Sequence, residues 1–309
     1  MLKNEQMTDY LKLHFIVMIW GFTAILGALI SIPSVEVVFF RTLFATLILG
    51  VIFLFRKRNI QLKKADLLRI VGTGFLISAH WILFFWAARV STISVCLAGM
   101  ATCSLWTSLV EPFMNGTKVK PYEVFLGILV ISGLYVIFSF EFDHAVGLLM
   151  AVASAFIAAF FTVINGRFTK RFNPYMITFY EMIGACIFAV LFMPVYAYFF
   201  ADGAGIQLIP TGEDVFWLLI LSGFCTVYAF SVSVDLMKRL SAFAINLTVN
   251  LEPVYGIILA VLIFGEKEKM TTGFYIGTLI ILISVLLYPV FNYWNKRRAT
   301  IKISGGVRR

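Results

Sequence analysis

The chain has 309 residues, of which 61% are hydrophobic and 13% charged, with a formal net charge of +9. That balance excludes an ordinary water-soluble domain, which needs a polar exterior around each apolar core. It also excludes a nucleic-acid partner as the reason for the charge, because Lys and Arg fall in short clusters between apolar runs and not along one face.

Spanning the hydrocarbon takes about twenty apolar helical residues, and ten stretches qualify. They are Leu11 to Ile30, Val35 to Phe55, Ile70 to Ala88, Ser91 to Val110, Tyr122 to Phe140, Val146 to Ile164, Tyr175 to Phe200, Val215 to Leu236, Ala242 to Phe264 and Thr272 to Phe291. The first exceeds a signal-peptide core and no small-residue cleavage pattern follows it, so it is expected to stay as a spanning helix. The fold class is therefore an all-α integral membrane protein with the lipid bilayer as its surroundings. Cys96, Cys103, Cys186 and Cys225 lie inside apolar segments without ligand-like spacing, which points to neither a disulfide nor a zinc site.

Basic loops resist translocation, so the charges set the orientation. With the N-terminus in the cytosol, that side receives Lys3 and Lys12, the cluster from Arg56 to Arg69, Lys118 and Lys120, Arg167 to Arg171, Lys238 and Arg239, and a basic tail from Lys296 onward. The other side receives only Arg89, Lys267 and Lys269. Both termini are expected in the cytosol, and the tail, residues 293–309, is expected to be mobile or to lie on anionic headgroups.

Sliding the chain against itself by about 150 residues pairs Arg89 with Arg239, Ser91 with Ser241 and Gly127 with Gly277. A shift of about 140 pairs the stretch Ser31 to Arg41 with Arg171 to Glu181. The chain thus divides into 1–143 and 144–292, with five helices each. Because five is odd, the second unit enters the membrane upside down relative to the first. Inverted repeats suit a carrier that exchanges two mirror-related conformations.

The residues Ile19-Trp20-Gly21-Phe22 in the first helix, Arg41 in the second, and the run from Lys238 through Leu251-Glu252-Pro253 to Gly265-Glu266 resemble the EamA-type branch of the drug/metabolite transporter superfamily. The Ala- and Phe-rich stretch Gly147 to Ile164 is similar to the sixth helix of that family. The resemblance implies a bacterial cytoplasmic-membrane exporter of amino acids or related metabolites with a central cavity. One departure stands out: the counterpart of Glu252-Pro253 is Thr102-Cys103, so a proline hinge is expected in the ninth helix and not at the matching place in the fourth.

An ionisable group inside the hydrocarbon is costly unless paired or wet, so each one is a candidate. Glu252 lies about 15 Å into its helix beside Pro253, which frees a backbone carbonyl and allows a kink. It reads as a coupling site, or as a group that holds the kink. His80 is at mid-depth next to Trp81 and either titrates, binds substrate or is a satisfied core histidine. Arg41 attracts an anion or snorkels outward. Glu181, its repeat counterpart, faces a proton, an amine or Tyr228. Asn246 and Asn250 share one face of the ninth helix, about 200° from Glu252 by helical periodicity, so only one of the two faces is expected to line a cavity. Trp20, Trp81 and Tyr228 suit a ligand wall or plain packing.

These features predict a carrier for a small-molecule substrate, working as a monomer by alternating access, with or without proton coupling, and needing no cofactor, metal or nucleic acid. A membrane-embedded transferase would need clustered catalytic groups, and His14, His80 and His144 are scattered in depth. A lipid scramblase or channel would need a continuous polar groove.

Overall fold

The computed structural model describes residues 2–57, 60–140, 142–200, 205–268 and 270–306, and among them there is no strand. Ten helical crossings follow one another. We number them α1 (Leu2–Gly21 continued by Thr23–Leu29), α2 (Ser34–Phe55), α3 (Lys64–Val90), α4 (Ile93–Met100 and Cys103–Asn115) and α5 (Pro121–Phe140). The second half contains α6 (Ala145–Phe168), α7 (Pro174–Phe199), α8 (Gly212–Leu236, with a π-helical middle at Leu221–Tyr228), α9 (Ala242–Val249 and Glu252–Phe264) and α10 (Thr272–Gly306). Eight of them are long and apolar enough to cross a bilayer, and the apolar stretches Pro121–Ile137 and Thr272–Tyr288 are two shorter additions.

The starts are set by local chemistry. Thr92, Asn173 and Ser241 accept backbone N–H groups of the first turns of α4, α7 and α9, and Thr211 and Asp214 close a capping box on α8. Arg89, assigned by its charge to the outer side, donates to the carbonyls of Gly27 and Ile30 and so satisfies the end of α1. Glu36, in the first turn of α2, is fully buried and accepts the Gln207 backbone N–H at 3.1 Å. The last helix runs through Gly306 and not only to Phe291; the basic tail thus begins as a continuation of α10.

Equivalent contacts recur in the two halves. α2 packs on α7 and α5 on α10, each helix meeting its own counterpart. At the second crossing a Cβ on Gly133 would stand 2.7 Å from the Gly277 carbonyl oxygen, so only glycine lets these backbones touch. Asp66, near the start of α3, binds Arg171 at 3.3 and 3.1 Å. Its counterpart Asp214, near the start of α8, accepts from the Ser31 N–H and hydroxyl at 2.6 and 2.8 Å, and Ser31 is the residue that aligns with Arg171.

The breaks in α4 and α9 match most closely. Each helix opens with a segment of 8 residues, is interrupted, and continues for 13. A hinge was expected only where Pro253 interrupts α9. α4 breaks at the same place without a proline, because Ala101 and Thr102 turn their N–H groups to carbonyls three residues back and the Thr102 hydroxyl takes the Gly99 carbonyl at 2.8 Å.

Candidate functional site

A cavity of about 90 Å³, counted as space open to the centre of a water molecule, lies where the two broken helices meet α1, α2, α3, α6 and α8. That is room for several waters or part of a small organic molecule. Its wall is aromatic, from Trp20, Trp81, Phe84, Phe161 and Phe230, with polar groups from Thr23, Arg41, His80, Ser233, Asn246 and Glu252.

Arg41 is 1% exposed. Its Nε donates to the Thr226 hydroxyl at 2.8 Å, and its guanidinium carbon stands 3.7 Å from the centre of the Trp81 ring. Such a desolvated cation–π contact is worth ~2 kcal/mol, enough to hold the plane of the group but not to replace its full set of hydrogen bonds. Nη1 has no hydrogen-bond partner. The π-helical turns of α8 create this arrangement: the Thr226 hydroxyl reaches the Leu221 carbonyl five residues back, while the Cys225 carbonyl takes the Trp20 indole N–H at 3.0 Å. Arg41 and Trp20 are thereby oriented by one distorted stretch of α8.

His80 is fixed by α6. The Ser154 hydroxyl donates to the His80 carbonyl at 2.8 Å, and the Ser154 oxygens, hydroxyl and carbonyl, lie 2.7 and 3.1 Å from Nδ1. With the hydroxyl proton committed, Nδ1 carries the imidazole hydrogen, which leaves Nε2 as the acceptor nitrogen for the cavity.

Glu252 opens the second segment of α9 and reaches the cavity, and Arg41 is the cation whose charge acts on it. Among the described residues no ion pair joins Arg41 to a carboxylate. Cys103, the residue that opens the second segment of α4, lines the same cavity. α1 approaches α9 here through Gly21 and Gly256: a Cβ on Gly256 would lie 3.0 Å from the Gly21 carbonyl oxygen.

Of the residues singled out in the sequence, the cavity takes in Arg41, His80, Trp20, Trp81, Asn246 and Glu252. The structure corrects the exclusion between the Asn face and Glu252. Periodicity assumed an unbroken helix, whereas the interruption at Asn250 and Leu251 re-aims everything beyond it, so Asn246 and Glu252 share the cavity. Asn250 is turned away, donating to the Ser104 hydroxyl at 2.7 Å, while the Asn246 amide donates to Thr107 at 2.8 Å; both bonds tie α9 to α4. Tyr228 is 42% exposed and meets Phe15 edge to face on the outside. Glu181 lies outside the cavity, fully buried, with neither carboxyl oxygen hydrogen-bonded and the Asn165 amide as the polar group facing it. Pro253 is buried beside Glu252 in the first turn of its segment, where it gives up no helical hydrogen bond. Residues missed from the sequence, among them Phe84, Phe161 and Ser233, carry no signal that separates a lining position from a packing one.

A model of the EamA-like transporter family matches the chain twice, over residues 10–139 and 145–288. An uncharacterized transporter of Bacillus subtilis (strain 168), YxxF, is 25% identical over 278 residues, covering 86% of this chain and 85% of that protein. A protein of known crystal structure superposes with a TM-score of 0.68 over 92% of this chain and 98% of its own, at 16% identity, which speaks for the fold alone. One match falls in each half of a ten-helix membrane protein whose broken helices border a shared cavity, and the chain belongs to the EamA-like transporter family.

Proposed function

We propose that the chain exports amino acids or related small metabolites from a bacterial cytosol across the cytoplasmic membrane, by alternating access between two inverted units, 1–143 and 144–292. The observation that carries the reading is the buried Arg41 guanidinium with Nη1 unengaged at the edge of the aromatic-walled cavity. A buried cation with spare donors is unfavourable until an anionic group completes it. A substrate carboxylate would meet Arg41, its amino group would meet Glu252, and the aromatic wall would take an apolar remainder. The matched breaks in α4 and α9 border this cavity, and two short segments joined without a full ladder pivot more readily than one continuous helix. Proton coupling, if the cycle uses it, would fall to Glu252 or His80.

The test is a growth-rescue screen in cells expressing the protein, challenged with toxic amino acids, dipeptides and nucleosides, repeated with Arg41→Ala, Glu252→Gln and Glu181→Gln. We expect protection against at least one zwitterionic compound that Arg41→Ala and Glu252→Gln lose and Glu181→Gln keeps. Protection undiminished in Arg41→Ala would overturn the site.

A further inference from the structure

A second, larger hollow of about 510 Å³ lies between the cytosolic parts of α3 and α6. It is lined by Arg69, Thr73 and Leu76 on one side and Ile164, Arg167 and Arg171 on the other. Its position along the two helices is set by their periodicity. On α3, Arg69, Thr73, Leu76, His80 and Phe84 follow one another at intervals of three or four residues, which is one continuous face. On α6, Ala158, Phe161, Ile164 and Phe168 do the same. The upper members of each row line the cavity described above and the lower members line this hollow, with about 6 Å of helix, four residues at about 1.5 Å each, between Leu76 and His80. The hollow therefore lies in line with the cavity, on the same helix faces, at the membrane face that holds most of the basic residues.

Its charge is one-sided. Asp66 binds Arg171 through two hydrogen bonds and reaches Arg69 at 3.8 Å, so it offsets only one of three positive charges. Arg167 is held from the end of α4, its Nε donating to the Asn115 side-chain oxygen at 3.1 Å, an orientation that keeps its two terminal nitrogens for a ligand. Arg69 and Arg171 are 68% and 60% exposed, so the site is wet and the cations are mobile enough to follow a passing anion, not trap it. A recess with low-dielectric walls and one sign of charge concentrates counter-ions at its mouth.

We infer that Arg69, Arg167 and Arg171 form an anion-collecting antechamber on the transport path, and that the carried molecule bears a carboxylate or phosphate group. The inference rests on the carrier reading above and adds a route and a charge class to it. The antechamber attracts the anion by field, and Arg41 then completes the binding one to two turns deeper.

Charged thiol reagents test this without knowledge of the substrate. Gly72 lines the hollow and a Cβ placed there meets nothing within 4 Å, so Gly72→Cys is tolerated. Ser233→Cys supplies a reporter inside the cavity. Full-length protein in membrane vesicles is treated with anionic sulfonatoethyl or cationic trimethylammonium-ethyl methanethiosulfonate, with the parent chain as background. We expect Gly72→Cys to react about tenfold faster with the anionic reagent. Either Arg69→Gln or Arg167→Gln, or high salt, should move the ratio toward one. A ratio of one or less overturns the proposal, and so does a thiol that neither reagent reaches, the outcome expected if a lipid tail fills the hollow. If Gly72→Cys shows no preference while Ser233→Cys is labelled, the antechamber falls and the carrier reading survives. If Gly72→Cys prefers the anion but Ser233→Cys is never labelled, the carrier reading falls and takes the transported anion with it.

Discussion

α4 and α9 have the same outline, 8 residues and then 13 after a mid-helix interruption, and the same shortened backbone bonds at the break, yet they restart with different residues. α9 has Glu252-Pro253 at the restart and α4 has Cys103-Ser104. Both interrupt their ladders with backbone bonds to carbonyls three residues back, from Ala101 and Thr102 in α4 and from Asn250 and Leu251 in α9, and α4 adds the Thr102 hydroxyl. A proline is thus sufficient company for such a break but not its cause. The shared cause is position: in both helices the interruption borders the cavity, where an inserted side chain or water can take over the freed groups. The two restarts then differ in what they present to that cavity, a carboxyl from α9 and a thiol from α4.

The comparison breaks most visibly through that chemical difference. Glu252→Leu should abolish transport, and Glu252→Gln should lower it by roughly tenfold or more, the factor that about 1.4 kcal/mol of lost binding produces. Cys103→Ser, at the matching place in α4, should leave it nearly unchanged; efflux assays on the three variants decide. Next in size is Gly256→Leu, which forces a side chain between α9 and the α1 backbone and should cost about 1–3 kcal/mol or more. Its measure is the unfolding midpoint in detergent, and an unchanged midpoint would show that the close crossing with Gly21 is not maintained. Asn246→Ala and Asn250→Ala remove the two side-chain bonds that bind the broken helices together, each worth ~0.6–1.7 kcal/mol in a membrane interior. Asn250→Ala should act on stability alone, whereas Asn246→Ala should also alter transport because its side chain lines the cavity. The smallest effect is expected from Pro253→Ala. In the first turn of its segment the proline gives up no helical bond, so the change should stay within about 1 kcal/mol and leave the break in place. A crystal structure of that variant with a continuous α9 would contradict the account of α4 given above.

Glu181 sharpens the same lesson. As the repeat counterpart of Arg41 it looked like an equal participant, but one faces a cavity and the other is sealed. Repeat symmetry carries over backbone placement well and side-chain role poorly, because a role depends on what the neighbouring helices leave open. Tyr228 and Asn250 are further cases. Each is a reasonable lining residue by depth, and each points elsewhere, Tyr228 to Phe15 and Asn250 to Ser104.

Number and order of the helices were legible because transfer into hydrocarbon is a property of each segment by itself. Ten runs, their approximate ends and the duplication were all readable from residue type and spacing. Arg41, His80, Trp81 and Glu252 stood out for the same reason, since polar and ionisable groups in apolar runs are costly enough to be noticed one at a time. Rotation about each helix axis was not legible. It follows from the π-helical turns of α8, the paired interruptions of α4 and α9 and the glycine crossings, each of which sums small contacts from several helices. Those rotations decided that Asn246 and Glu252 share a cavity, that Glu181 lies outside it, and that Arg69 of α3 and Arg167 and Arg171 at the end of α6 line one hollow.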